Sequence, residues 1–149
     1  MKIALGSDHG GYNLKSLIIE HLKSKNIEFE DLGCYGTDSC DYPVYGLKVA
    51  KAVVAKEFDF GIIVCGTGIG ISISANKVPG IRAAHCTDSF TARATRQHNN
   101  SNILALGERI TGTSIALDIV DAFINTDFEG GRHEKRVNMI EDIEKEYLK

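Results

Sequence analysis

The chain has 149 residues, 43% of them apolar and 25% charged, and carries a net charge of −3. That size predicts one domain over residues 1–149 with a sizeable core, and the composition excludes a disordered or fibrous chain. No broad basic surface is on offer, so nucleic acid is not an expected partner.

In chain order, residues 2–7 form a first apolar run, Lys2-Ile3-Ala4-Leu5-Gly6-Ser7, which reads as a strand and is too short for a signal peptide. No later run approaches the length of a membrane span, and we expect a cytoplasmic protein with no membrane partner. Leu14, Leu17, Ile18 and Leu22 mark one face of a first helix. After a strand over 27–32, a second helix opens beside Pro43, with Val44, Leu47, Ala50 and Val54 as its inner face. Residues 58–65 are apolar nearly throughout, as suits a strand buried on both faces of a parallel sheet. Cys65 ends that strand, and Gly66-Thr67-Gly68-Ile69-Gly70 leads from it toward a third helix after Gly70.

Further strands are expected over 81–86 and 102–106, with helices beginning near Asp88 and Gly112. A last helix runs from about Glu134 to the end, with Val137, Ile140, Ile143 and Tyr147 turned inward. Alternating strands and helices, short loops and no repeat or linker predict an α/β fold. The expected form is a single doubly wound, Rossmann-like and flavodoxin-like domain with a five-stranded parallel sheet flanked by helices.

In such sheets ligands bind outside the carboxyl ends of the strands, which is where Cys65 falls. A glycine-rich turn there offers backbone N–H groups to negative charge. The loop is neither Gly-x-Gly-x-x-Gly nor a Gly-Lys-Ser/Thr phosphate loop, so neither nucleotide motif is present. A cysteine phosphatase would place an arginine soon after its nucleophile, but position 71 is Ile71. Asp8-His9-Gly10-Gly11 follows the first strand and should share the edge of Cys65, although an Asp-His pair is more often a cap or turn.

Arg96-Gln97-His98-Asn99-Asn100 reads equally as a helix C-terminus, where Arg and His offset the dipole and Asn takes a left-handed backbone. Arg132 and Arg136, four apart after Gly130-Gly131, suit a phosphate if helical, with a solvated charged face as the ordinary alternative. The five histidines show no metal-site spacing, so no metal is expected. Of the four cysteines, Cys34 and Cys40 read as loop thiols and Cys86 as a small core residue, and no disulfide is expected.

Taken together, Asp8-His9-Gly10-Gly11, Asp41-Tyr42-Pro43, Cys65 to Ser72, Ala75-Asn76-Lys77, Arg96-Gln97-His98-Asn99 and Glu129-Gly130-Gly131-Arg132-His133 resemble ribose-5-phosphate isomerase B over essentially the whole chain. The wider family includes galactose-6-phosphate and allose-6-phosphate isomerases. The resemblance implies a cofactor-free interconversion of ribose 5-phosphate and ribulose 5-phosphate, a step of the pentose phosphate pathway, through a cis-enediolate. Cys65 would be the base. The N–H groups of Gly66, Thr67, Gly68, Ile69 and Gly70 would hold the enediolate oxygen, Ile69 by its backbone alone.

On the same resemblance His98 would open the furanose ring, with Asp8 and Thr67 orienting sugar hydroxyls. His9, Asn99, Arg109, Arg132 and Arg136 would supply sugar and phosphate contacts. One family branch carries its base as a glutamate at the place of Ile71, so this chain follows the cysteine branch. The resemblance also implies a homodimer, or a dimer of dimers, in which His98, Asn99 and Arg109 serve the neighbour's loop. A non-catalytic nucleotide- or flavin-binding module is the alternative from another class.

Overall fold

The computed structural model describes residues 1–148. Five strands, β1 (Lys2–Ser7), β2 (Glu28–Asp31), β3 (Phe60–Cys65), β4 (Ala83–His85) and β5 (Ile103–Gly107), form one parallel sheet in the order β2-β1-β3-β5-β4. Six helices accompany them: α1 (Tyr12–Ser24), α2 (Tyr42–Val54), α3 (Ile69–Ala75), α4 (Ser89–Asn99), α5 (Thr113–Ile124) and α6 (Arg132–Tyr147). The expected α/β doubly wound fold is therefore observed.

The three central strands bury nearly every residue because helices cover both faces. On one face Leu14, Ile18 and Leu22 of α1, Ala92 of α4 and Ala116, Ile119, Val120 and Phe123 of α5 meet Ile3, Leu5, Ile62 and Leu104. On the other, Val49, Ala50 and Val53 of α2 and Ile71 and Ala75 of α3 meet Ala4, Ile63 and Ile103. Each large side chain fully buried this way contributes about 1.5–3 kcal/mol.

Two helical faces differ from expectation. In α2 the expected Val44, Leu47 and Val54 are exposed, and the helix instead buries Gly46, Val49, Ala50, Ala52 and Val53. A Cβ at Gly46 would stand 3.0 Å from the Ile71 carbonyl oxygen, so α2 turns its small residues toward α3. In α6 only Val137 of the expected face is buried, while Ile140, Ile143 and Tyr147 are exposed, and the helix begins at Arg132 rather than Glu134. Leu17 of α1 is likewise exposed, and α3 starts at Ile69, inside the glycine loop.

Polar contacts tie the ends together. Asp88 caps α4 by accepting the Thr91 N–H at 2.7 Å, and Glu108, just beyond β5, accepts the Leu14 N–H of α1 at 2.9 Å. Lys15 is fully buried yet bonded to Asp31 at 2.7 Å and to the Cys34 carbonyl, which anchors the loop after β2. Cys34 is a free thiol of that loop, as expected, and is buried there. No helix of the described residues is long and apolar enough to cross a membrane.

Candidate active site

The sheet's order reverses direction between β1 and β3, which pair so that Ser7 lies opposite Val64. Asp8 and Cys65 thus leave neighbouring strand ends at the topological switch point, the place where such sheets bind ligands. Asp8 N–H donates to the Val64 carbonyl at 3.2 Å, and its carboxylate accepts the Gly11 N–H at 3.1 Å. The short 3-10 turn His9–Gly11 lies directly on β3. A Cβ on Gly11 would come within 2.5 Å of the Val64 backbone, so only glycine permits the approach.

Cys65 is 4% exposed, and its Sγ accepts the Gly68 N–H at 3.1 Å. Gly68 holds φ +80°, the left-handed conformation that turns that N–H back toward the sulfur. Thr67 is exposed, and its Oγ1 accepts the Ile69 N–H at 3.2 Å. Two of the five expected oxyanion donors, Gly68 and Ile69, are thereby already engaged within the loop. The Tyr42 ring packs over Gly70, where a Cβ would meet Cζ at 2.7 Å.

The loop after β5 closes the edge. Glu108 and Arg109 donate their N–H groups to the carbonyls of Cys65 and Gly66, each at 3.0 Å. The Arg109 guanidinium lies over the chain's own Gly66, where a Cβ would stand 3.3 Å from Nη1. Arg109, expected to serve a neighbour's loop, thus also lies beside the glycine loop of its own chain. His9 reaches away toward the loop before α2, its Nδ1 3.2 Å from both the N and the O of Cys40. Burial raises the Cys40 thiol above its ordinary range, and Cys34 adds to the effect.

His98, Asn99, Arg132 and Arg136 lie elsewhere, where the end of α4 meets the start of α6. Arg132 and Arg136 are exposed and form no ion pair among the described residues. Asn99 accepts the Thr95 hydroxyl at 3.2 Å through its side chain and Arg82 at 2.9 Å through its carbonyl. Arg96 and Asn100 follow the structural reading. Arg96 is buried over the rings of Phe60 and Phe123, and desolvation lowers its pKa, while Asn100 takes the left-handed cap at φ 47°. No hydrogen bond or ion pair among the described residues joins this cluster to the Cys65 loop.

The sequence reading missed His85 and His133. His85 ends β4, and its ring edge fills the space where a Gly68 side chain would be, with Nε2 buried and unpartnered. Its place under the loop follows from strand order, which the sequence does not display. His133 is buried against His98, and burial, aided by His98 and Arg132, lowers its pKa. His98, Glu129 and His133 have donor atoms within 4.8 Å of one another, a grouping of α4, α6 and the loop before α6 in which the place of His98 is not revealed by residue spacing. Cys86, as expected, lies in the core, and burial pushes its thiol up to about 11.

A sequence model described as Ribose/Galactose Isomerase matches residues 3–140. The chain belongs to this family. It is 48% identical to ribose-5-phosphate isomerase B of Escherichia coli, with 96% of each chain covered. Among solved structures it resembles the ribose-5-phosphate isomerase B of Clostridium thermocellum at 60% identity, TM-score 0.98 and 99% coverage of both chains. The Mycoplasma genitalium enzyme, solved with bound ribulose 5-phosphate, is 44% identical, with TM-score 0.91 and 97% coverage of both chains. The isomerase family's architecture and this chain's thus agree along nearly their whole length.

Proposed function

We propose that this sugar-phosphate isomerase interconverts ribose 5-phosphate and ribulose 5-phosphate without a cofactor, with Cys65 as the base. The observation that carries the reading is the Cys65 sulfur at the switch point, held by the Gly68 N–H beside Asp8, in a chain of this family. Sγ removes the C2 proton of the open-chain aldehyde while the carbonyl oxygen gains negative charge. The same proton returned to C1, with proton exchange between the two oxygens, yields the ketose.

Loop N–H groups other than those of Gly68 and Ile69 hold the developing oxyanion, and Thr67 turns its hydroxyl proton to the sugar. Asp8 and His9 flank the sugar. His98 transfers the proton that opens the furanose ring, a task suited to an imidazole near neutral pH. Arg132 and Arg136 take the phosphate, with Asn99 and Arg109 as further contacts.

The chain works as a cytoplasmic homodimer in which His98 and the α6 arginines of one copy face the Cys65 loop of the other. Three features support this: among the described residues the two clusters are not joined within one chain, Arg132 and Arg136 form no ion pair there, and α6 exposes Ile140, Ile143 and Tyr147. Sedimentation should give twice the chain mass; a monomer with full activity overturns the shared site.

Purified, metal-chelated protein should convert ribose 5-phosphate to ribulose 5-phosphate. The family description also names galactose isomerases, so galactose 6-phosphate is the comparison substrate. Turnover of galactose 6-phosphate with none of ribose 5-phosphate would overturn the substrate assignment.

A further inference from the structure

His98 is exposed on the last turn of α4, and the imidazole of His133, on the first turn of α6, stacks against it with ring centroids 4.3 Å apart and planes 15° apart. The two rings differ in freedom. His133 has 7% of its surface accessible, and its backbone N–H donates to the Gly130 carbonyl at 3.1 Å. Its Nε2 stands 3.4 Å from Oε2 of Glu129. Glu129 in turn donates its own N–H to the carbonyl of Gln97, the neighbour of His98, at 3.1 Å. The stack is thus tied at both ends to the turn that carries His98.

The stacked arrangement also limits what His133 can do. A proton relay between imidazoles needs a ring nitrogen of one in the plane of the other, and a face-to-face pair does not provide it. Desolvation keeps His133 toward its neutral form, so it presents His98 with an aromatic face and no full positive charge. An exposed histidine at a helix end would otherwise spread over several rotamers.

We propose that His133, braced by Glu129, is a positioning residue for ring opening: it fixes the imidazole plane of His98 so that its nitrogen meets the furanose oxygen. The proposal rests on the ring-opening role assigned to His98 above. A merely structural role, docking α6 onto α4, would disturb the arginines on the same helix and every phosphorylated substrate alike.

The test compares ribose 5-phosphate with erythrose 4-phosphate, which has no hydroxyl free to close a furanose. His133→Ala should lower kcat on ribose 5-phosphate roughly 10- to 100-fold, the cost of a misplaced catalytic group. KM and erythrose 4-phosphate turnover should change by less than about threefold on the same reasoning. His133→Phe keeps an aromatic face and should recover most of the lost rate. Glu129→Gln, at a half-exposed position that threatens the fold less, should lower ribose 5-phosphate turnover in the same selective way. By NMR, the upfield ring-current shift of the His98 ring protons should vanish in His133→Ala and return in His133→Phe.

Equal losses on both substrates, or unchanged ribose 5-phosphate turnover in both His133→Ala and Glu129→Gln, overturn the proposal. His98→Asn separates the two readings. If it spares erythrose 4-phosphate while the His133 variants do not, the positioning role alone falls. If His98→Asn costs both substrates equally, the ring-opening assignment falls and the proposal with it.

Discussion

Around Cys65 the fold holds its chemistry with backbone: strand ends in register, a left-handed glycine, and carbonyls that accept the N–H groups of the next loop. At the α4–α6 junction it uses side chains instead, with exposed arginines around one buried imidazole. The first arrangement is rigid because its contacts are made by backbone groups at and just beyond the strand ends. The second can vary residue by residue, because each guanidinium or ring acts through its own tip. On the proposed assignment, proton transfer at carbon, which needs sub-ångström placement, falls to the rigid region, and ring opening and phosphate capture fall to the other.

Removing the sulfur tests this division most severely. Cys65→Ala should reduce kcat by roughly 10²- to 10⁴-fold while ring opening of bound substrate continues. Loss of solvent-deuterium exchange at C2 is the measurement; exchange at the wild-type rate would assign the base elsewhere.

Next, the arginines should respond to the phosphate alone. Arg136→Ala should lower kcat/KM on ribose 5-phosphate by roughly 10- to 150-fold, the worth of one charged hydrogen bond. Any turnover of free ribose should be nearly unchanged. An equal fall on both sugars would mean that the arginine supports the fold or an interface.

A pair of glycine substitutions then sharpens the contrast in stability. Gly68 and Gly130 both have positive φ, at 80° and 67°, but a Cβ at Gly68 would overlap the His85 ring and the Leu106 backbone, while Gly130 has nothing within 4 Å. Gly130→Ala should cost about 1–2 kcal/mol from backbone strain alone. Gly68→Ala should cost about 1–3 kcal/mol more for the overlap and should also impair turnover. Denaturant unfolding beside kinetics reads both, and equal costs would remove the claim that the Cys65 loop is the stiffer region.

Acid titration of the junction should have the smallest effect. His133 is held below the usual histidine value of 6.5, so the unfolded chain binds its proton first. Its share of stability is whole above about pH 6.5 and is lost as pH falls through the lower folded-state value. The wild type should therefore lose stability more steeply below pH 6.5 than His133→Gln, and parallel curves would contradict this.

The sheet and the Cys65 edge were legible in the sequence because buried parallel strands are continuous apolar runs, and β1, β3 and β5 fall within a residue or two of the expected bounds. The inner face of α2 was not. Counting large apolar residues favours Val44 and Leu47, yet the helix packs through Gly46, since closeness rather than bulk decides which side meets α3. The outer residues of α6 are apolar without an inward partner, which periodicity within one chain reads as core. The roles of Asp8 and Cys65 could be argued from neighbouring strand ends. The His98–His133 stack could not, because it joins helices that are distant in sequence.

The cradle of His9 holds the ring in one place whichever nitrogen carries its proton. Its Nδ1 is equally distant from the amide N and the carbonyl O of Cys40. With Nδ1 bare, the ring accepts from the amide; with Nδ1 protonated, it donates to the carbonyl. Neither state leaves the nitrogen without a partner, and neither requires the ring to swing. The side chain proposed to flank the sugar is therefore fixed before substrate arrives, so that each turnover begins from an unchanged geometry.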